Sequence, residues 1–204
     1  MNRIFLVASC LLSLSWTSPH SRMHMGEDFI DRRDGQTYET VAYAGLRWMA
    51  ENLRYETAGS FCYRDSAELC QTFGRLYPFE DAFTACPEGW RLPTPKDWRR
   101  LRRALETNKA DGIIMPGWWE DPRFDGATNE TDLSILPAGR RDEKGPHWRE
   151  SKYAELGVSA SFWLDDPKRE KHWHIRWGKN QMHKHDHLQD QGRYFSIRCV
   201  CEPE

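Results

Sequence analysis

Six cysteines constrain what this chain of 204 residues can fold into more than any other feature. Cys10 falls in an N-terminal leader that we expect to be removed. Widely spaced cysteines in an exported protein typically form disulfides. The five that remain predict two disulfides, with one thiol left over or paired between chains. The alternative is that several are small buried apolar residues. The six are Cys10, Cys62, Cys70, Cys86, Cys199 and Cys201.

Residues 1–21 are predicted to be a secretory signal peptide. A single cation, Arg3, precedes an apolar run that ends at Trp16, and a polar stretch follows it. This order of charged, apolar and polar regions is typical of secretory signals, and we expect cleavage between Ser15 and Ser21. The mature protein is therefore expected outside the cell or in the cell envelope.

A lipoprotein anchor on Cys10 is the less favoured reading of the same leader. Only four apolar residues precede its lipobox-like sequence, whereas the apolar region of a signal normally has about 7–15 residues. Behind the leader we expect a linker over residues 22–33, one domain over residues 34–201 and a short tail over residues 202–204.

The composition indicates a small core that depends on tryptophan. Apolar residues make up 39% of the chain and charged residues 29%, so the ten tryptophans must supply much of the buried area. The net charge of −2 argues against binding to nucleic acid or to an anionic membrane, and no segment is long enough to span a bilayer. Four tryptophans within regular patterns are expected in the core: Trp48, Trp90, Trp98 and Trp163.

The predicted elements run from strands to helices, then to a long irregular stretch and back to strands, which favours an α+β fold. Helices are predicted over residues 78–85 and from Thr94 onward, where Thr94 and Asp97 have the spacing of a capping box. Residues 56–75 are predicted to be a loop closed by a disulfide. The irregular stretch is 107–132, and strands are expected within 34–53, 133–137, 160–164, 172–177, 181–187 and 194–200.

Seven short sequence motifs occur along the chain in an order that is typical of one family. They are Asp34–Tyr38, Trp48–Leu53, Gly74–Tyr77, Ala85–Thr94, Leu136–Arg141, Ala160–Trp163 and Phe195–Val200. Together they resemble the Fibrobacter succinogenes major paralogous domain family of exported bacterial proteins, over about residues 34–200. That family is similar to the C-type-lectin-like group, which also contains the formylglycine-generating enzymes.

The resemblance implies a C-type-lectin-like fold with short strands, two helices and long loops. It also implies two disulfides, one joining Cys62 to Cys70 and one joining Cys86 to Cys199. The chain departs from the family in two places. An aromatic residue is usual where Arg140 stands, and two serines usually follow the tryptophan where this chain has 164–165. These departures predict a ligand surface that differs from that of other members.

A cluster of histidines on the late strands is a candidate site for Zn²⁺ or Cu²⁺. Alternation along a strand places histidines two residues apart on the same face, and imidazoles on directly opposed strands are close enough to share a metal ion. The alternatives are a patch that gains charge below about pH 6.5 and exposed polar residues without a role. The five are His172, His174, His183, His185 and His187.

The pairing of these histidines depends on the turn between the two strands. A two-residue turn at 179–180 predicts that His174 lies opposite His185 and that His172 lies opposite His187. A slip of one residue would move the second set to the other face of the sheet and destroy the site. Apart from this metal, no cofactor is expected.

Aromatic side chains in the loops predict a binding role. Tryptophans in loops can stack on a sugar or a peptide, and we expect a polysaccharide or a protein partner at the cell surface, bound by loops between residues 107 and 150. An envelope protein without a small ligand is the alternative. An enzyme is less favoured, because no phosphate-binding loop or nucleophile motif is present, and this reading would need a free, reactive Cys201. The candidate binding residues are Trp118, Trp119 and Trp148.

Overall fold

Helices and sheets are combined in the structure, a computed structural model that describes residues 25–105, 110–143, 151–166, 171–176, 179–186 and 192–203. Its helices are α1 (Ala67–Phe73), α2 (Phe79–Ala85) and α3 (Pro95–Ala104). Its strands are β1 (Met25–Ile30), β2 (Thr37–Tyr43), β3 (Leu46–Met49), β4 (Ala138–Asp142), β5 (Tyr153–Leu156), β6 (Ser159–Trp163), β7 (Lys171–Arg176), β8 (Lys179–Asp186), β9 (Arg193–Tyr194) and β10 (Val200–Cys201).

The first sheet has the order β1-β2-β3-β10 and is antiparallel throughout. Ala44 and Gly45 join β2 to β3 with positive φ angles of 50° and 71°, as a two-residue hairpin turn requires. Strand β1 lies within residues 22–33, which were predicted to be a linker. That prediction is wrong for this stretch, because β1 pairs with β2 and Asp31 is fully buried.

The second sheet has the order β5-β4-β6-β7-β8, and β9 pairs with β4. Its pairs are antiparallel except for β4 and β6, which are parallel. The strand expected over 133–137 is absent, and there Ile135 makes only an isolated bridge to Ile114. Strands β4 and β5 were not predicted, because polar and charged residues interrupt their alternation.

Helices α2 and α3 lie where the sequence predicts them, whereas α1 falls in the stretch predicted to be a loop. The expectation of two helices is therefore corrected to three in the part of the chain that the structure describes. Ser66 caps α1 by accepting a hydrogen bond from the backbone of Leu69 at 3.3 Å. Only Cys70 and Phe73 of α1 are buried, and two apolar positions are too few to reveal a helix of this length.

Two apolar clusters form the core, and a tryptophan lies at the centre of each. The Trp98 ring lies 5.1 Å from that of Trp48 and 5.9 Å from that of Trp173. In the second cluster Trp163 packs against Phe195 at 4.6 Å and donates a hydrogen bond to the carbonyl of Tyr77. The prediction of core tryptophans is confirmed, except that Trp90 is half-buried.

Both disulfides have the pairing that the family resemblance implies. Cys62 is bonded to Cys70, eight residues away, and Cys86 is bonded to Cys199, 113 residues away. Cys201 belongs to neither disulfide and is half-buried. Across the described residues, the helices are all too short or too polar to cross a membrane.

Candidate functional site

A cleft lies above the Cys62–Cys70 disulfide, where α1 faces the loop that precedes it. It consists of two adjoining hollows of about 530 and 300 Å³. We call it the disulfide cleft. It is lined by Asp34, Gln36, Arg54, Tyr55, Glu56, Thr57, Ala58, Ser60, Phe61, Cys62, Asp65, Ala67, Cys70, Gln71 and Arg75.

Local chain geometry builds the wall of the disulfide cleft. The disulfide holds the Cα atoms of Cys62 and Cys70 5.0 Å apart, so the loop is tied directly to α1. Helix α1 ends at Gly74, whose φ of 77° suits glycine. A Cβ atom at this position would also collide with Asn52. The chain then turns back so that Arg75 reaches the cleft.

The arginines of the disulfide cleft are held by polar contacts. Arg75 donates hydrogen bonds to Glu56 at 2.8 Å and to the Ser60 hydroxyl at 2.9 Å. Arg54 contacts Glu51 at 3.0 Å and Gln36 at 2.8 Å. Because both guanidinium groups are already paired, the cleft offers oriented polar groups and little unbalanced charge.

Aromatic rings flank the disulfide cleft, and arginines pack on their faces. The guanidinium of Arg33 lies 3.7 Å from the ring centre of Tyr55. That of Arg141 lies over both Phe61, at 3.9 Å, and Tyr194, at 4.4 Å. Such cation–π contacts fix the orientation of the rings. Sequence reasoning missed this site, because its residues lie in a stretch predicted only to be a loop.

The Asp65 carboxylate also anchors a neighbouring tyrosine. It accepts a hydrogen bond from the Tyr153 hydroxyl at 2.6 Å, and the Tyr153 ring packs against Tyr63 at 5.1 Å. Burial, together with this carboxylate, raises the pKa of Tyr153 to about 12. The hydroxyl therefore stays protonated at neutral pH and acts as a hydrogen-bond donor.

The loop tryptophans predicted to bind a ligand have different environments. Trp118 is 46% exposed, and its ring is perpendicular to that of Phe73 on α1, with 5.6 Å between the ring centres. Trp119 is only 8% exposed, packs against Phe124 and donates a hydrogen bond to the Ile135 carbonyl. The prediction of Trp119 as a binding residue is therefore wrong, because its ring belongs to the core. Trp148 lies outside the described residues.

The histidine strands are neighbours, as predicted, but their register differs from the predicted one. His172 pairs with His185 and His174 with His183, which is a shift of two residues. Strand β8 already begins at Lys179, where the turn was predicted, and the pairing is irregular between Ile175 and Arg176. A shift of two residues preserves the face, so all four positions remain on one side of the sheet. His187 lies outside the described residues.

Two of these histidines are in direct contact. His172 Nε2 and His174 Nδ1 are 3.3 Å apart, and His172 is 4% exposed while His174 is half-buried. Among the side chains that the structure describes, no three His, Cys, Asp or Glu residues are grouped so that they could hold a metal ion. The side chains at 183 and 185 are outside that set.

Comparison with known families identifies the family of this chain. The profile of the Fibrobacter succinogenes major domain matches residues 41–201, which is most of the chain. The chain belongs to this family. No curated protein and no solved structure is significantly similar to it.

The Fibrobacter succinogenes major domain of this chain has structural reasons for its departures from the usual family sequence. Arg140 forms ion pairs with Asp142 and Glu155, so a charged contact between β4 and β5 stands where an aromatic residue is usual. Leu164 is fully buried in the first apolar cluster, and the backbone of Asp165 donates a hydrogen bond to the Pro93 carbonyl. The residues at both departures therefore make contacts within the fold.

Proposed function

We propose that this protein is an exported recognition module that binds an extracellular polysaccharide and has no catalytic activity. We further propose that its fold is of the C-type-lectin-like type. Two disulfides support export, since disulfides persist mainly in oxidising compartments. The family itself has no assigned activity that would point to a reaction.

The exposed ring of Trp118 carries the proposal. The indole is 46% exposed, and its perpendicular contact with the Phe73 ring, 5.6 Å between ring centres, holds this flat apolar ring at a defined angle. Such a face suits the apolar side of a sugar ring. The neighbouring residues 116–117 are also exposed, so this part of the loop faces solvent.

The disulfide cleft supports the same class of ligand. Helix α1 connects the two features, because Gln71 lines the cleft while Phe73 supports Trp118. Side chains held in place by hydrogen bonds recognise hydroxyl groups without further ordering. The paired arginines Arg54 and Arg75 fit a polyhydroxyl ligand better than a highly charged one.

Retention on insoluble polysaccharides and on a glycan array tests this proposal. We expect the mature chain to bind, and Trp118→Ala to weaken binding at least tenfold, a loss typical of a central aromatic contact. Phe83→Ala is the matched control, because Phe83 is an exposed aromatic (38%) that also meets another phenylalanine edge-on.

Three outcomes would contradict the proposal. An absence of polysaccharide binding favours an envelope protein without a small ligand, and an equal loss in both variants indicates non-specific adsorption. The third outcome concerns catalysis. Rapid labelling of Cys201 by a thiol reagent at neutral pH would favour an enzyme with that residue as its nucleophile.

A further inference from the structure

We propose that helix α3 presents a second binding surface, which takes an anionic polysaccharide. Four cationic side chains follow one another along this helix at separations of three and four residues or less, which places them on one face of it. They span about 10 Å of helix length at 1.5 Å per residue. We call this face the basic stripe. It consists of Lys96, Arg99, Arg100 and Arg103, and all four are exposed.

The charge of the basic stripe is not balanced by acidic side chains. Asp97 is the single acidic residue of α3, and its carboxylate is already committed to Arg91 at 2.8 Å and to the backbone of Thr94 at 2.8 Å. In the part of the chain that the structure describes, no carboxylate forms an ion pair with any of the four cations. Since the net charge of the whole chain is −2, the stripe is a local concentration of positive charge.

The spacing of the basic stripe does not favour the helix itself. Lys96 and Arg100 are four residues apart, as are Arg99 and Arg103, and like charges at this separation destabilise a helix. Lys96 also lies in the first turn of α3, where the helix dipole disfavours a cation. A bound polyanion relieves both effects, so a ligand accounts for this arrangement better than helix stability does.

Contacts with both sheets order the basic stripe and extend its charge. The Arg100 guanidinium lies against the backbone of Gly45 in the turn between β2 and β3, where a Cβ atom would collide with it. The neighbouring Arg102 guanidinium lies 5.9 Å from the Trp173 ring centre, and Lys184, the β8 residue opposite Trp173, is exposed. Side chains that are already held lose less conformational freedom when a ligand binds.

The surroundings favour a polysaccharide over a membrane or a nucleic acid. Trp98 and Leu101 are buried in the core, so α3 has no large apolar side chain left to enter a bilayer and no exposed ring on which a base could stack. The two disulfides indicate an oxidising compartment, and this choice of partner therefore rests on the proposed export of the chain. It does not rest on Trp118, and the residues that line the disulfide cleft do not include any from α3.

Binding of the disulfide-intact mature chain to heparin, a sulfated polysaccharide, tests the basic stripe. We expect elution from immobilised heparin at a higher NaCl concentration than from a sulfopropyl resin, which offers negative charge alone. The double variant Arg99→Gln and Arg103→Gln should bind at least ~10-fold more weakly at physiological salt. The plot of log K against log[NaCl] should also become shallower by about 2, because two fewer cations displace counterions from the polyanion.

Arg32→Gln with Arg64→Gln is the matched control, because it removes the same charge from exposed arginines elsewhere. Glutamine has nearly the helix propensity of arginine, so α3 should stay folded, which circular dichroism checks. Trp118→Ala should bind heparin as the parent chain does, so failure of the indole site and failure of the stripe give different results. Equal weakening in the two double variants, or elution from both columns at the same salt, would overturn the proposal. Stronger competition by duplex DNA or by anionic lipid vesicles than by free heparin, at equal anionic charge, would assign the stripe to another partner and overturn it too.

Discussion

At the scale of single residues, Arg198 is a buried cation held by polar atoms from distant parts of the chain. It is 1% exposed and donates hydrogen bonds to Asn52 Oδ1 at 2.6 and 3.2 Å, and to the carbonyls of Met49 and Leu133. Burial lowers the pKa of Arg198 to about 9, so the guanidinium is still charged at neutral pH. One side chain thus joins three separate segments.

Replacement of Arg198 should destabilise the protein strongly. We expect Arg198→Leu to lower the free energy of unfolding by about 3 kcal/mol, because Asn52 and the Leu133 carbonyl lose a charged donor in the core. Urea denaturation measures the change, with Arg99→Leu on the exposed face of α3 as control. A loss below 1 kcal/mol at Arg198 would show that the network contributes little.

At the scale of elements, α3 is the clearest case of local sequence determining local structure. Thr94 Oγ1 accepts a hydrogen bond from the backbone of Asp97 at 3.2 Å, and Asp97 accepts one from the Thr94 backbone at 2.8 Å. This is the predicted capping box. Trp98 and Leu101 of this helix are buried in the core, so their packing fixes the position of α3.

Removal of the cap should weaken the protein modestly. We predict that Thr94→Ala lowers the free energy of unfolding by about 1 kcal/mol, since the first turn of α3 loses a hydrogen-bond acceptor. Thr84→Ala, at an exposed position of α2, is the comparison and should change stability by less. The interpretation fails if the two variants unfold at the same urea concentration.

The acid sensitivity of α3 can be predicted from Asp97. Burial raises the pKa of this carboxyl, but hydrogen bonds from Arg91 and Thr94 outweigh burial and hold the pKa below its ordinary value of 3.8. The folded state therefore binds this proton less readily than the unfolded state. The resulting stability is present above about pH 4 and is lost as the pH falls through the folded pKa.

Chemical denaturation between pH 5 and pH 2 tests this prediction. In Asp97→Asn the part of the acid destabilisation that comes from Asp97 should disappear, so the variant should lose less stability over this range than the parent chain. Glu88→Gln, at an exposed position before α3, should keep the parent profile. Parallel profiles for Asp97→Asn and the parent chain would contradict the assignment.

At the scale of the whole molecule, the segment 195–200 contacts both sheets and both apolar clusters of the core. Its backbone bonds to Tyr77, Leu53 and Met49, and Val200 pairs with Trp48 in β3. Ser196 bridges to β6 in the other sheet. The Cys86–Cys199 disulfide fixes this segment to the end of α2. Residues 195–200 therefore connect the two sheets to each other.

The two disulfides should differ in their contribution to stability. The chain-entropy relation gives about 5 kcal/mol for the loop closed by Cys86–Cys199 and about 2.5 kcal/mol for the short loop closed by Cys62–Cys70. We therefore expect the double alanine variant of the long link to unfold about 2 kcal/mol more easily than that of the short link. Equal losses in urea would argue that strain or unfolded-state structure dominates instead.

The sequence by itself determined the features that depend on short-range chemistry. The capping box of α3, the start of α2 after Pro78 and the face shared by His172 and His174 follow from spacing along the chain, because hydrogen bonds and side-chain alternation act over a few residues. The family motifs in the sequence also predicted the disulfide pairing and the family to which the chain belongs. These were correct without any knowledge of long-range packing.

Only the tertiary structure decided which of two adjacent tryptophans is exposed. Trp118 and Trp119 have nearly the same local sequence, but Phe124 and the Ile135 carbonyl draw one ring into the core, and the other ring stays on the surface beside Phe73. The histidine register depended on an irregular pairing near the turn, and the disulfide cleft on segments far apart in the chain. Burial and pairing are properties of neighbours in space, which spacing along the chain does not specify.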